Sequence, residues 1–381
     1  MKQPERKSRN PLVLILGNKR WQFITIPLFA ILCSLLAISV IILLVGKNPF
    51  AAFQSLLQGS GFLPKPTYAA YKSMLTDFMD TLDALTPMLF AALSVAVAFK
   101  AGLFNIGVSG QMLLSGFMAT VLVGYSGLNA GIAKPLVLLI GILAGAVAGG
   151  LIGVLKYRFN INEVVSSIML NYIFQYIISF FINTQFVDPV SRQSRNISQA
   201  ARLTLMNVEI GGLKMRVPFC ILLALLCAII LQIFLAKTKQ GYELKAVGQN
   251  SLAAKYAGIR VGGNLVFAMT LSGALAGLAG VTYYLGYYQS IQPGVLSSLG
   301  FDSIAVSLLG NSHPIGIIFS SLLITAISRG STYMSSVVGV RQEIAALVTG
   351  MILLFSACGG FIRYKVNQSG SHTGKKGEGK P

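Results

Sequence analysis

Four polar side chains stand out because they interrupt long apolar runs: Asn105, Gln111, Asn171 and Asp302. Amides and a carboxylate suit the hydroxyls of a sugar and the hydrogen-bonding edge of a heterocyclic base. A site built this way discriminates strongly, because a ligand lacking one partner leaves a buried group unpaired. The competing role for each residue is a hydrogen bond between helices. Asp302 carries more weight, since an ionisable group is costly to keep in an apolar run unless it lies at an interface. Tyr283, Tyr284, Tyr287 and Tyr288 pair at i, i+4 spacing. They would either stack on a flat ring or form an interfacial aromatic belt.

Bond-making chemistry finds no residues. There are no paired acids, no histidine cluster and no nucleophile with a base beside it, so no catalytic residues are expected. The four cysteines (Cys33, Cys220, Cys227 and Cys358) all fall in apolar runs without CxxC spacing, which suggests neither a disulfide framework nor a metal site. His313 and His372 have no ligand-like companions, and His313, just before Pro314, reads as a helix-end residue. Gly370-Ser-His-Thr-Gly374-Lys-Lys is not a phosphate loop. It has three residues between its glycines instead of four, lacks Ser or Thr after Lys375, and follows no strand. No cofactor is expected.

The elements that must position these residues are membrane helices. The chain has 381 residues, 54% hydrophobic and 11% charged, with mean hydropathy +0.71. A soluble domain carries roughly 25% charge. The net charge of +19 does not mark nucleic-acid binding, because the cations sit between apolar spans and no basic-aromatic groove motif accompanies them. Residues 1–20 form a basic tail. The run from Trp21 to Gly46 holds no charge for 26 residues, about 39 Å as a helix, and no small-residue cleavage site closes it, so a retained first span is expected.

Residues 47–83 are polar and end in Asp77, Asp80 and Asp83, read as a solvated helix face or a dock for a soluble partner. The uncharged run 84–99 is short for a crossing, and Gly102, Asn105, Gly107 and Gly110 follow it. That suggests a discontinuous helix, and in transporters such breaks lie at the substrate path. Gly141, Gly145, Gly149 and Gly153 repeat every four residues, with Gly273 and Gly277 as a second small-residue pair, so close helix packing is expected there. The run 261–301 has no charge for 41 residues, too long for one crossing, and breaks at Gln289, Gln292, Pro293 and Gly294. This second break echoes the first. The tail 363–381 is basic, rich in Gly and Ser, and expected to be disordered.

The longest polar interruption of the second half is 237–262. It carries five cations against Glu243 and holds a two-turn helix signal, with Asn250-Ser251 as cap, Leu252–Ala257 as body and Gly258 as stop. Thr238, Gly241, Leu244, Lys245, Ala246, Val247, Gly248, Asn250, Ala253, Ala254, Tyr256, Ala257, Gly258 and Ile259 resemble the cytosolic coupling loop of ABC importer permeases. The branch they resemble serves simple sugars, nucleosides and branched-chain amino acids. Gly102-Leu-Phe-Asn-Ile-Gly-Val-Ser-Gly-Gln111 is similar to the signature of the nucleoside-type members. Asn162-Glu-Val-Val-Ser-Ser-Ile-Met-Leu-Asn-Tyr172 and Gly300-Phe-Asp-Ser-Ile-Ala-Val-Ser-Leu-Leu-Gly310 are further matches in the family's order. Ser109 departs from the pattern, which usually has an acidic residue there.

The resemblance implies an all-α polytopic permease of about ten transmembrane helices, two of them discontinuous. The transmembrane domain is expected at 21–362, with both termini cytosolic and the chain in the bacterial cell membrane. It implies a cytosolic ABC ATPase that binds the ATP, a second homologous permease, an extracytoplasmic solute-binding lipoprotein, and a nucleoside or sugar as cargo. Gly241, Ala246, Gly248, Asn250, Ala253, Ala254, Tyr256 and Gly258 are then the ATPase-coupling residues, and Asn105, Gln111, Asn171 and Asp302 the substrate path. With ten spans, 19 of the 30 cations fall on the side of the termini and the loop, and 11 on the other. The positive-inside rule makes the first side cytosolic. A simple-sugar permease is the near alternative. An ion-driven transporter would need buried ionisable groups, for which only Asp302, Lys100 and Glu343 qualify.

Overall fold

The computed structural model describes residues 22–341 and 343–359, and the tails read at 1–20 and 363–381 lie outside them. In chain order the helices begin with α1 (Gln22–Leu44), α2 (Pro49–Gly59), α3 (Met74–Lys100), α4 (Val108–Ala119), α5 (Ala130–Phe159) and α6 (Glu163–Phe181). The strands β1 (Thr204–Ile210) and β2 (Leu213–Pro218) follow. The chain continues with α7 (Cys220–Lys237), α8 (Lys239–Gln249), α9 (Ser251–Tyr256), α10 (Val261–Thr282), α11 (Leu299–Leu309), α12 (Pro314–Val338) and α13 (Glu343–Ala357). Among the described residues, seven helices are long and apolar enough to cross a membrane, and Val108–Gly124 and Leu299–Leu309 are shorter apolar helices.

The glycine stripe does what its spacing predicts. A Cβ at Gly145 would collide with the Gly273 carbonyl, one at Gly149 with the Met269 carbonyl, and one at Gly277 with the Gly141 carbonyl. The α5 and α10 backbones therefore touch, which gives this pair its dispersion contact in a medium where apolar side chains gain little from association. α3 is the most enclosed span, and its stretch Leu89–Ala98 is fully buried.

Three expectations change. The first span of the break pair is not short. α3 runs 27 residues from Met74, because Asp77, Asp80 and Asp83 are paired with cations and do not end the helix. Lys65 meets Asp77 at 2.7 Å, Arg216 and Arg329 each approach Asp80 at 3.7 Å, and Arg216 lies 3.9 Å from the buried Asp83. The aspartates are thus neither a solvated face nor an open dock. The short helices are instead those after the breaks, α4 and α11. The chain is also not purely helical. β1 and β2 form an antiparallel hairpin turned by Gly211 and Gly212, at φ +60° and +80°, as the favoured two-residue turn requires.

Contacts define two ends. At the hairpin end, the stretch Phe186–Leu203 is laced to the segment 285–291, with Leu203 N–H donating to the Leu285 carbonyl (3.0 Å) and Ser194 N–H to the Ile291 carbonyl (3.0 Å). At the loop end, Gly248 packs on the backbone of Lys100–Gly102, and Gly262 packs on Tyr157. Gly359 lies beside Ile26, and Pro27 and Gly310 border one groove, so the start of α1 and the end of α13 share a face.

Candidate functional site

The first break, 101–107, is a closed polar knot. Asn105 is 1% exposed. Its amide N–H groups donate to Gln111 Oε1 (3.1 Å) and Ser272 Oγ (2.9 Å), and its Oδ1 accepts from Gly107 N–H (2.9 Å) and Gln111 Nε2 (3.2 Å). Asn171 on α6 accepts from Gly110 N–H (2.9 Å) and donates to the Ile106 carbonyl (3.0 Å). Ser94 and Ser272 extend the knot between α3 and α10. Three of the four polar residues singled out in the sequence therefore meet in one place. Their amide groups are already engaged within the chain, and they satisfy backbone that the break would otherwise leave orphaned in an apolar medium.

The second break, 288–298, encloses space instead. A cavity of about 350 Å³ opens between it and the end of α10. That volume falls in the range of small-molecule sites. Tyr283, Tyr284 and Tyr288 form the aromatic side, and Gln193, Gln292 and Ser297 are among the polar groups opposite. Among the described residues lining it, none is charged. Tyr283 and Tyr287 keep the i, i+4 contact expected of an α-helix, with ring centres 6.3 Å apart, and Tyr283 also meets Tyr288. α10 ends in a π-helical turn, Tyr283–Tyr287, closed by Tyr288 N–H to the Tyr283 carbonyl at 2.8 Å. The extra residue per turn brings Tyr288 edge-on to Tyr283, with ring centres 4.9 Å apart. Such turns recur at functional sites, and nothing in the sequence period announces this one.

The two breaks meet. Ser109, fully buried, donates to the Ser297 carbonyl at 2.8 Å, and Gly300 sits against the Ser109 backbone so closely that a Cβ would overlap its hydroxyl. The first turns of α4 and α11 therefore touch, and the two short helices run away from that contact toward opposite ends. Asp302 stands apart from the other three sequence-predicted residues. It is half-buried in the first turn of α11, one turn from Ser298 of the cavity rim, whose hydroxyl approaches Asp302 Oδ2 at 3.3 Å.

At the loop end, α8 and α9 form a short helical elbow. Thr238 caps α8 by accepting from Gly241 N–H (3.0 Å), and Asn250 caps α9 by accepting from Ala253 N–H (3.0 Å). Gly258 ends α9 at φ +81°. Asn264 donates to Glu243 at 3.1 Å and fixes α8 to α10. The residues expected to couple to an ATPase split by burial. Gly241 packs on the Phe234 carbonyl, Gly248 packs on Lys100–Gly102, and Ala254 is buried. Asn250, Ala253, Tyr256 and Gly258 are exposed. Leu252 is 70% and Tyr256 93% exposed, one turn apart. A substitution at Gly248 would therefore disturb packing as well as any docking. His313 sits nearby, and burial, with Lys100 opposing its charge, holds its imidazole below the ordinary value.

Residues 79–357 match the family model described as the branched-chain amino acid transport system / permease component. The nucleoside ABC transporter permease protein NupB of Lactococcus lactis subsp. cremoris (strain MG1363) is 33% identical over 376 residues, covering 95% of this chain and 99% of that one. The guanosine ABC transporter permease protein NupP of Bacillus subtilis (strain 168) is 34% identical over 349 residues, 91% of this chain and 96% of that one. The glucose ABC transporter permease protein TsgB13 of Haloferax volcanii is 27% identical over 299 residues, 75% of this chain and 78% of that one.

Proposed function

The chain belongs to the branched-chain amino acid transport permease family, an integral membrane family of ABC transporters, and from that premise we propose that it is the membrane subunit of an ATP-driven importer carrying nucleosides. One observation supports this cargo above the rest. The cavity at the second break is walled by tyrosines and amides and has no charged lining residue among those described. A nucleoside offers a flat neutral ring for the tyrosine faces and hydroxyls for the amides and serines. A zwitterionic amino acid would bring two charges that this lining does not pair.

In this reading the chain crosses the membrane ten times, by its seven long helices, by α13, and by α4 and α11, each with its adjoining break. The termini and the loop 237–262 face the cytosol, because that side holds the larger share of cations. An extracytoplasmic binding protein delivers ligand at the hairpin end, and a second permease completes the path. The path runs from the cavity past Asp302, with the Asn105, Gln111 and Asn171 knot as its floor. The chain binds no ATP of its own. A cytosolic ATPase grips the exposed Leu252–Tyr256 face, and its closure rocks the spans. Replacing Leu252 and Tyr256 together by Glu should abolish uptake while the protein stays at normal levels in the membrane. Unchanged uptake would remove this surface from the coupling role.

The test of cargo is uptake of radiolabelled guanosine by cells with and without this chain, with unlabelled competitors. Other nucleosides should compete, and leucine, glucose and guanosine monophosphate should not. Competition by leucine or glucose alone would overturn the nucleoside reading.

A further inference from the structure

The fourth tyrosine of the group, Tyr287, points away from the cavity and into an ionic chain. Arg329 on α12 donates from Nη1 to the Tyr287 hydroxyl at 2.8 Å, with its guanidinium 5.9 Å from the ring centre. Its Nη2 lies 3.7 Å from Asp80 Oδ2 on α3. Asp80 Oδ1 in turn lies 3.7 Å from Arg216 of β2, and Arg216 reaches Asp83, which accepts from Thr204 of β1 at 2.7 Å. On the other side, Tyr287 stacks on Tyr283, with ring centres 6.3 Å apart, and meets Tyr288 edge-on at 4.9 Å. Both of those rings line the cavity. A continuous path of contacts thus runs from the hairpin, through two aspartates and Arg329, to the aromatic wall.

From this geometry we propose that Arg329 is a positioning residue for the cavity: it clamps Tyr287, sets the angle of the Tyr283 and Tyr288 faces, and ties that wall to the hairpin through Asp80. The argument is one of rigidity. A single π-helical turn replaces the i→i+4 bonds of the helix before it by a wider i→i+5 register, and an outside anchor holds its side chains in one arrangement. A charge-assisted hydrogen bond is the strongest such anchor here, and the planar guanidinium can hold a phenol with one nitrogen and a carboxylate with another. A lysine, with one point of charge, can keep only one of the two partners in place.

The inference rests on the nucleoside reading of the cavity, and the experiment separates the two. Guanosine uptake is measured against concentration for Tyr283→Ala, Tyr287→Phe, Arg329→Gln, Arg329→Lys and the double variant Tyr287→Phe with Arg329→Gln. Each is expressed with its transport partners and checked for membrane level. Tyr287→Phe and Arg329→Gln should each raise the KM about five- to tenfold at nearly constant maximal rate. The double variant should be no worse than the worse single, since both remove one bond, and Arg329→Lys should restore part of the loss. Multiplying effects, or a fall in maximal rate at unchanged KM, would overturn the positioning role. If Tyr283→Ala leaves the KM unchanged, the cavity reading itself fails. If Tyr283→Ala raises it and Arg329→Gln does not, only the present inference fails.

Discussion

The two breaks in the chain share a sequence signature and do opposite things. Each follows a long helix and precedes a short one, and each combines glycine with amide side chains, Gly102, Gly107 and Asn105 in the first and Gly294, Gln289 and Gln292 in the second. At 101–107 Asn105 turns inward and pairs with Gln111 of the helix that follows. Asn105 alone makes four hydrogen bonds, two with Gln111 and one each with Ser272 and Gly107. At 288–298 the loop is pinned near its middle, by Gln175 to the Gly294 carbonyl and by Gly294 N–H to Ser179 (2.7 Å), while its inner face stays open as the cavity. The difference lies in what each loop packs against. The first is buried among α3, α6 and α10. The second faces a π-helical turn whose tyrosines hold it off. A polar break in an apolar chain is thus either a brace or the wall of a cavity, and the partner surface decides which.

The comparison breaks most sharply at Asn171. Asn171→Leu would strand the Gly110 N–H and the Ile106 carbonyl, each costing about 1–3 kcal/mol or more in an apolar medium. A large drop in the thermal stability of the detergent-solubilised protein is expected. If stability holds while only the KM rises, the first break is a ligand site and the contrast dissolves. At the second break the order reverses. Tyr283→Ala should leave the melting temperature nearly unchanged and raise the KM for guanosine about tenfold, or ~1.4 kcal/mol.

The seam between the breaks should give an intermediate result. Ser109→Ala removes one bond to the Ser297 carbonyl and should cost about 1 kcal/mol of stability with a mild effect on KM. Smallest of all, Gly294→Ala meets nothing within 4 Å but must adopt φ +75°, a strain of about 1 kcal/mol with no steric clash added. Gly102→Ala, at φ +72° with Gly248 3.1 Å from the new Cβ, should be the worse of this pair in the same melting assay.

Much of the fold was legible because membrane helices announce themselves by length and charge. The uncharged runs, the glycine stripe of α5 and the capped helix after Asn250 all follow from local rules and stand where those rules put them. The β-hairpin left a readable trace in the alternation around Gly211-Gly212 that a search for helices passes over. The start of α3 was not legible. Charge within a run argues against a span until its partners are known, and Arg216 and Arg329 come from residues more than 130 positions away.

The candidate site divides the same way. Asn105, Gln111 and Asn171 were visible as polar residues in apolar runs, because residue type against background is a property of sequence. Whether their amides would be free or saturated was not, since that depends on Ser272 and the backbone of Ile106 arriving from elsewhere. By itself the sequence determined that this is a polytopic membrane protein with two polar breaks and a capped polar elbow between apolar runs, since hydropathy, capping and spacing act over a few residues. Only the tertiary structure decided which break is a brace and which a cavity, and which tyrosines face it. Burial and hydrogen-bond saturation are set by contacts between distant segments, and a π-helical turn displaces every side chain after it.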